Sequence, residues 1–354
     1  MSNSNVIMRV TGMSVCRIVC AVLVCMGVYA TACADDLAMG ECAKRFPDDA
    51  ARRLQCYDIA AVAKPQVDTG AAVNVRERSY LTKAWNLDNY SSSDPSKLGR
   101  LQPYRQNYLM IRRSNRPDRQ PSSPLPDHNV ATPYDWDVSE TKFQFSFKAD
   151  IGDQVNVDWF GIRTVRVWAA YTQQSWWQMF NTRNSSPFRE TNYEPELIAT
   201  IGTLQDSGLK LINFGWEHQS NGKPLPESRS WNRLYLQGGW EWNDSVSFLA
   251  RGWWRIPESA SNDDNPDITD YVGRADIVAR WEPLDKSQAV ALLLRNNLSG
   301  AHNRSFVQLD WATPQRFGNA ARFHLQITSG YGESLIDYNY RQTTVGLGFS
   351  FREW

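Results

Sequence analysis

The sequence predicts an all-β protein, a twelve-stranded antiparallel transmembrane β-barrel of the outer membrane, and three observations predict it. An export signal opens the chain. No later stretch holds 18 consecutive apolar residues, so no helix is expected to cross a membrane. Apolar and polar residues alternate with period two over long runs. Lipid offers no hydrogen bonds, so a spanning backbone must be a helix or a closed barrel, and only the barrel remains. The composition agrees, with 15 Trp, 14 Tyr and 14 Phe beside a negative mean hydropathy. The formal net charge of zero gives no basic excess for binding nucleic acid.

Residues 1–34 read as the signal peptide. Arg9 and Arg17 are their only charges, Ile18 to Ala30 is apolar, and Ala32-Cys33-Ala34 before Asp35 is a cleavage site. A lipoprotein anchor at Cys33 is the lesser reading, because Ala30 stands where a larger aliphatic residue is usual. Cleavage leaves Cys42 and Cys56, an even pair in an oxidising compartment, which are expected to bridge. Such a loop closure stabilises by about 3 kcal/mol in the chain-entropy model. Residues 35–100 lack the alternation and read as a periplasmic extension, with a short helix in "AARRLQCYDIAAVAK" and a loop in "NYSSSDPSKLG".

Twelve alternating segments follow between 101 and 354, near 104–113, 141–150, 163–173, 195–203, 209–220, 232–242, 245–256, 273–282, 287–296, 303–312, 321–329 and 342–351. In the sixth, Leu234, Leu236, Trp240 and Trp242 share one face and Arg233, Tyr235, Gln237 and Glu241 the other. Residues 114–140 and 257–271 are the long loops expected outside the cell. The last strand alternates Val345, Leu347, Phe349 and Phe351, and Trp354 ends the chain one residue out of phase with that face.

The same parity places candidate chemistry. Ile212, Phe214 and Trp216 set a lipid face that continues to His218 and Ser220, and the next strand brings Asn232 to its own lipid face. A hairpin centred on Leu225 sets His218 opposite Asn232, within hydrogen-bonding reach. A serine hydroxyl becomes a nucleophile when an imidazole takes its proton, and a third polar group fixes the imidazole tautomer. Gly222 and neighbouring backbone N–H groups in the turn are candidate oxyanion donors. Polar residues of an aromatic girdle would look similar, but three polar groups converging towards lipid favour a site.

These residues resemble outer-membrane phospholipase A. The resemblance rests on "HQSNGK…SRSWNRLY", with "YTQQSWWQ", "SSPFRETNYEP", "DDNPDIT" and "GYGESLIDYN" in the same order, from about Tyr104 to the C-terminus. It implies a calcium-dependent enzyme that hydrolyses phospholipids at both acyl positions, and lysophospholipids, when dimerised. It implies Ser220 as nucleophile, His218 as base, Asn232 as orienting residue and the Gly222 N–H as oxyanion donor, near the external leaflet. Its calcium ligands would be the Ser228 side chain, the Lys223 carbonyl and the Ser185 carbonyl of the partner subunit, oxygens suited to Ca2+. Gln173, polar on an otherwise apolar face, matches an interface glutamine. Lys223 replaces the family's common Arg, and Leu225 stands where an Asp can bind calcium in the monomer, which leaves Glu227 as a candidate substitute. A non-catalytic barrel, a pore or structural protein, is the competing reading. A soluble α/β esterase lacks its G-x-S-x-G elbow here.

Overall fold

A computed structural model describes residues 42–62, 79–88, 101–152, 155–159, 161–203, 205, 208–317 and 321–351. The signal segment 1–34 and Trp354 lie outside the described residues. The chain divides into two compact units, 1–76 and 77–354. In the first, a Cys42–Cys56 disulfide joins the start of the segment to helix α1 (Ala50–Val62). The Asp49 carboxylate accepts from the Ala51 and Arg52 N–H groups at 3.1 and 3.0 Å, capping donors that the first helical turn leaves unpaired.

In the second unit the described residues form fourteen strands, twelve of which close a barrel. They are β2 (Tyr108–Ser114), β3 (Ser139–Asp150), β5 (Ile162–Trp177), β6 (Phe188–Thr203), β7 (Gly208–Ser220), β8 (Ser230–Asn243), β9 (Val246–Ile256), β10 (Ala275–Trp281), β11 (Ala289–Asn296), β12 (Ser305–Phe317), β13 (Ala321–Tyr331) and β14 (Arg341–Phe351). Each pairs antiparallel with the next, and β14 returns to β2 through Leu347↔Ile111. Short β1 (Leu101–Pro103) and β4 (Val155–Trp159) extend the ladders of β3 and β5. All twelve expected segments are strands, although β5 and β6 run further outward, to Trp177 and back to Phe188. Pro195, at the expected start of the fourth segment, lies inside β6. It pairs with Tyr171 of β5, and no pair with β7 is formed between Tyr193↔Ser220 and Glu196↔Glu217, where proline has no N–H to give.

The outer wall carries the apolar parity, with Phe214 55%, Trp254 63% and Leu347 64% exposed. The lumen is polar and crosslinked. Arg105 bonds Glu194 and Glu196 at 2.6 Å each, Arg233 and Arg251 pair with Glu217, and Arg112 and Lys142 share Glu333. Buried charges survive where each finds a partner.

Helix α2 (Tyr80–Trp85), within the stretch read as an extension, packs inside the barrel at the ends of β3, β5, β8 and β10 next to their short turns. The Leu81 N–H donates to Glu241 at 2.7 Å, Arg166 to the Asn86 carbonyl at 2.8 Å, and the Lys148 ammonium lies 3.3 Å from the Trp85 ring centre. The opposite end carries the longer connections, including 115–138, 221–229, 257–267 and 332–340. This asymmetry marks it as the external side.

Candidate active site

The register of β7 on β8 sets His218 opposite Asn232 and Ser220 opposite Ser230. Inward residues 213, 215 and 217 are buried while Phe214 and Trp216 are exposed, so period two carries His218 and Ser220 onto the outer wall. Asn232 shares the outward face of β8 with Leu236 and Trp240. His218 Nδ1 donates to the Asn232 carbonyl oxygen at 3.0 Å, which leaves Nε2 as the nitrogen able to accept a proton. Among the described residues no hydrogen bond joins Ser220 to His218.

The turn 221–229 is held from within. Buried Asn221 accepts from the Lys223 and Arg229 N–H groups at 3.3 and 3.0 Å and donates to the Glu227 carbonyl at 2.8 Å. Arg229, only 1% exposed, donates to the carbonyls of Pro226, Ser228 and His128. Gly222 follows at φ +63°, a left-handed conformation that suits glycine. A Cβ there would stand 3.2 Å from the ring of Tyr193, the residue opposite Ser220 on β6.

The expected calcium ligands occupy the same external end in different ways. Ser228 Oγ donates to Asp264 Oδ2 at 2.7 Å, and Ser230 Oγ reaches the same oxygen at 3.4 Å. Glu227 instead pairs with Lys223 at 2.8 Å, so the carboxylate beside Ser228 is Asp264 and not Glu227. Ser185 lies in the β5–β6 loop at φ +60°. Leu225 is exposed at the hairpin tip. His128 bridges Asp127 at 2.8 Å and Asp264 at 3.0 Å, and its hydrogen bond holds the Asp127 carboxyl below the ordinary range. Gln173 faces outward on β5 between Tyr171 and Ser175, with hydrogen bonds of 3.1 and 3.3 Å.

Sequence reasoning passed over Asn221, Arg229, Asp264 and Glu258, whose Oε1 accepts from Asn232 Nδ2 at 3.0 Å. Asp264 stood in "DDNPDIT", but a motif states no contacts. Glu258 was legible by extending the parity of β9 past Ile256. Arg229 carried no signal of its role, because its distant partner, the His128 carbonyl, comes from a loop a hundred residues earlier.

A family model described as Phospholipase A1 matches residues 81–351. A putative phospholipase A1 of Neisseria meningitidis serogroup B is 37% identical over 255 residues, 70% of this chain and 64% of that protein. The match therefore spans a little under two thirds of that relative. Phospholipase A1 of Salmonella typhimurium is 36% identical over 252 residues, 70% of this chain and 80% of its own length. Outer membrane phospholipase A from Escherichia coli superposes with a TM-score of 0.58 at 33% identity, covering 72% of this chain and 94% of its own, and is also solved as an active-site mutant with asparagine changed to alanine. The Salmonella typhi outer membrane phospholipase, solved as a dimer with bound calcium, superposes with a TM-score of 0.58 at 32% identity, covering 72% and 93%. With the barrel, its apolar wall and these relatives in agreement, the chain belongs to the phospholipase A1 family of outer-membrane β-barrels.

Proposed function

We propose that the chain hydrolyses the acyl esters of phospholipids, at both positions, and of lysophospholipids, with Ser220 as nucleophile, His218 as base and Asn232 as its orienting partner. The observation that carries this is the 3.0 Å bond from His218 Nδ1 to Asn232 on the lipid-facing wall at the external end. A substrate diffusing in the outer leaflet reaches that wall without leaving the membrane.

His218 Nε2 takes the Ser220 proton as Oγ attacks the acyl carbonyl; the Ser–His contact tightens as substrate binds. The Gly222 N–H lies in the turn beside Ser220, where it can donate to the oxyanion. The imidazolium then passes its proton to the departing glycerol oxygen, and water, activated by the same imidazole, releases the fatty acid from Ser220.

Calcium fits the donor set, since Ser228 Oγ, the Lys223 carbonyl and the Ser185 carbonyl of the partner subunit are hard oxygens, and Asp264 adds a carboxylate in contact with Ser228. Bound calcium would supply positive charge beside the oxyanion. The Salmonella dimer with bound calcium and the E. coli asparagine mutant named as an active-site mutant support this reading. Gln173 is the proposed interface residue, because an amide facing lipid gains by pairing across a subunit boundary. The crosslinked lumen argues against a pore.

The test is hydrolysis of a phospholipid in mixed micelles with and without a chelator. Ser220→Ala and His218→Ala should each lower kcat by about a thousandfold or more. Asn232→Ala should cost less, because the imidazole still acts when poorly oriented. Full activity in Ser220→Ala would dismiss the nucleophile, and full activity under chelation would dismiss calcium.

A further inference from the structure

An amide has two ends of nearly equal shape and opposite hydrogen-bonding role. With its carbonyl towards His218, Asn232 keeps the proton on Nδ1 and leaves Nε2 able to accept from Ser220. Turned by half a rotation, the same side chain would present NH2 to Nδ1 and drive the proton to Nε2. The base would then be lost. The Asn232 amide needs a neighbour that distinguishes its ends.

That neighbour is Glu258. Asn232 Nδ2 donates to Glu258 Oε1 at 3.0 Å, and a carboxylate can only accept. Asn232 is register-paired with Ile256 on β9, and Glu258 stands two residues further along, continuing the outward face of Trp254 and Ile256. His218, Asn232 and Glu258 thus form a row across the external ends of three adjacent strands. Each group orients the next.

We propose that Glu258 is a positioning residue that sets the His218 tautomer through Asn232 and places a negative charge two hydrogen bonds from the imidazolium formed during acyl transfer. It does not itself gain or lose a proton in the step. The inference rests on the Ser220–His218–Asn232 reading above. It assigns to a loop residue the charge that an asparagine, unlike an aspartate, cannot supply.

The experiment measures kcat and KM for a diacyl phosphatidylcholine in mixed micelles, with folding checked by heat-modifiable gel migration. Glu258→Ala should lower kcat by about tenfold with KM unchanged, the scale of one hydrogen bond to a charged group. Glu258→Gln, which keeps an acceptor but loses the charge, should lower kcat less, and it decides the matter if the alanine variant fails to fold. In an Asn232→Ala background neither change should have a further effect. In an Asn232→Asp background the sign should reverse, and Glu258→Gln should raise kcat, because two adjacent carboxylates repel. Unchanged kcat, an equal loss without Asn232, or recovery by excess calcium would each overturn the proposal, the last by making Glu258 a calcium ligand. If Ser220→Ala is inactive while Glu258→Ala is fully active, only the Glu258 role falls; if Ser220→Ala is active, both readings fall.

Discussion

Gly222 and Asp264 show how single residues shape the external end of β7 and β8. Gly222→Ala would meet both a left-handed backbone, worth about 1 to 2 kcal/mol against an L side chain, and the Tyr193 ring at 3.2 Å. We expect lower kcat with little change in barrel unfolding, measured by micellar assay and heat-modifiable migration. Asp264 and Glu227 are both carboxylates close in space to the hairpin, but only Asp264 touches Ser228. Asp264→Asn should raise the calcium concentration for half-maximal activity by about tenfold or more, whereas Glu227→Gln should leave it near wild type. The reverse order would place the calcium carboxylate at Glu227.

At the scale of elements, α2 and the 115–138 loop lie at opposite ends of the barrel. Trp85 is 3% exposed and meets Trp168 edge to face, with the Lys148 ammonium over both rings. Trp85→Ala should cost about 3 to 5 kcal/mol and remove the nearest of the rings over the Lys148 ammonium, with Trp168 at 4.5 Å and Tyr104 at 5.5 Å remaining. A lower unfolding temperature, with hydrolysis intact below it, would separate α2 from the outer wall's chemistry. In the external loop, burial, reinforced by the charge of Asp337, pushes the Asp118 carboxyl up to about 6. Between the unfolded value near 4 and this one, the folded chain holds a proton that the unfolded chain releases. Its contribution to stability is therefore full below about pH 4 and is lost as pH rises through about 6. Asp118→Asn should match wild type at pH 4 and resist proteolysis of 115–138 better at pH 7; equal nicking at both pH values would contradict this.

For the whole molecule, the barrel divides its residues between two environments. The wall meets lipid with aromatic and aliphatic side chains, and the lumen holds paired charges, so the proposed hydrolysis belongs to the surface and rigidity to the interior. Gln173 is an outward-facing polar residue of β5 at which we propose that a second copy packs. Gln173→Leu should reduce calcium- and substrate-dependent crosslinking while leaving a folded monomer, as read by crosslinking in detergent. Crosslinking that ignores calcium and substrate would remove dimerisation as the proposed control.

The twelve strands and the directions of His218, Ser220 and Asn232 were legible in the sequence because strand period two is a local property, and one lipid-facing aromatic fixes the face of every second neighbour. The hairpin register was legible too, since Leu225 lies midway between residues that must both face outward. Glu258 was within reach of the same rule, although the strand's nominal end at Ile256 concealed it. The remainder is decided by distance in the chain. Asp264 beside Ser228, His128 holding Asp264 and capping Arg229, and α2 lodged among Glu241, Arg166 and Lys148 join segments separated by tens to hundreds of residues. Alternation alone determined a lipid-facing barrel with a candidate site on its wall. Only the closed tertiary structure decided which carboxylate stands by Ser228 and what fills the lumen, because those partners are chosen by loops and buried charges that no local period describes.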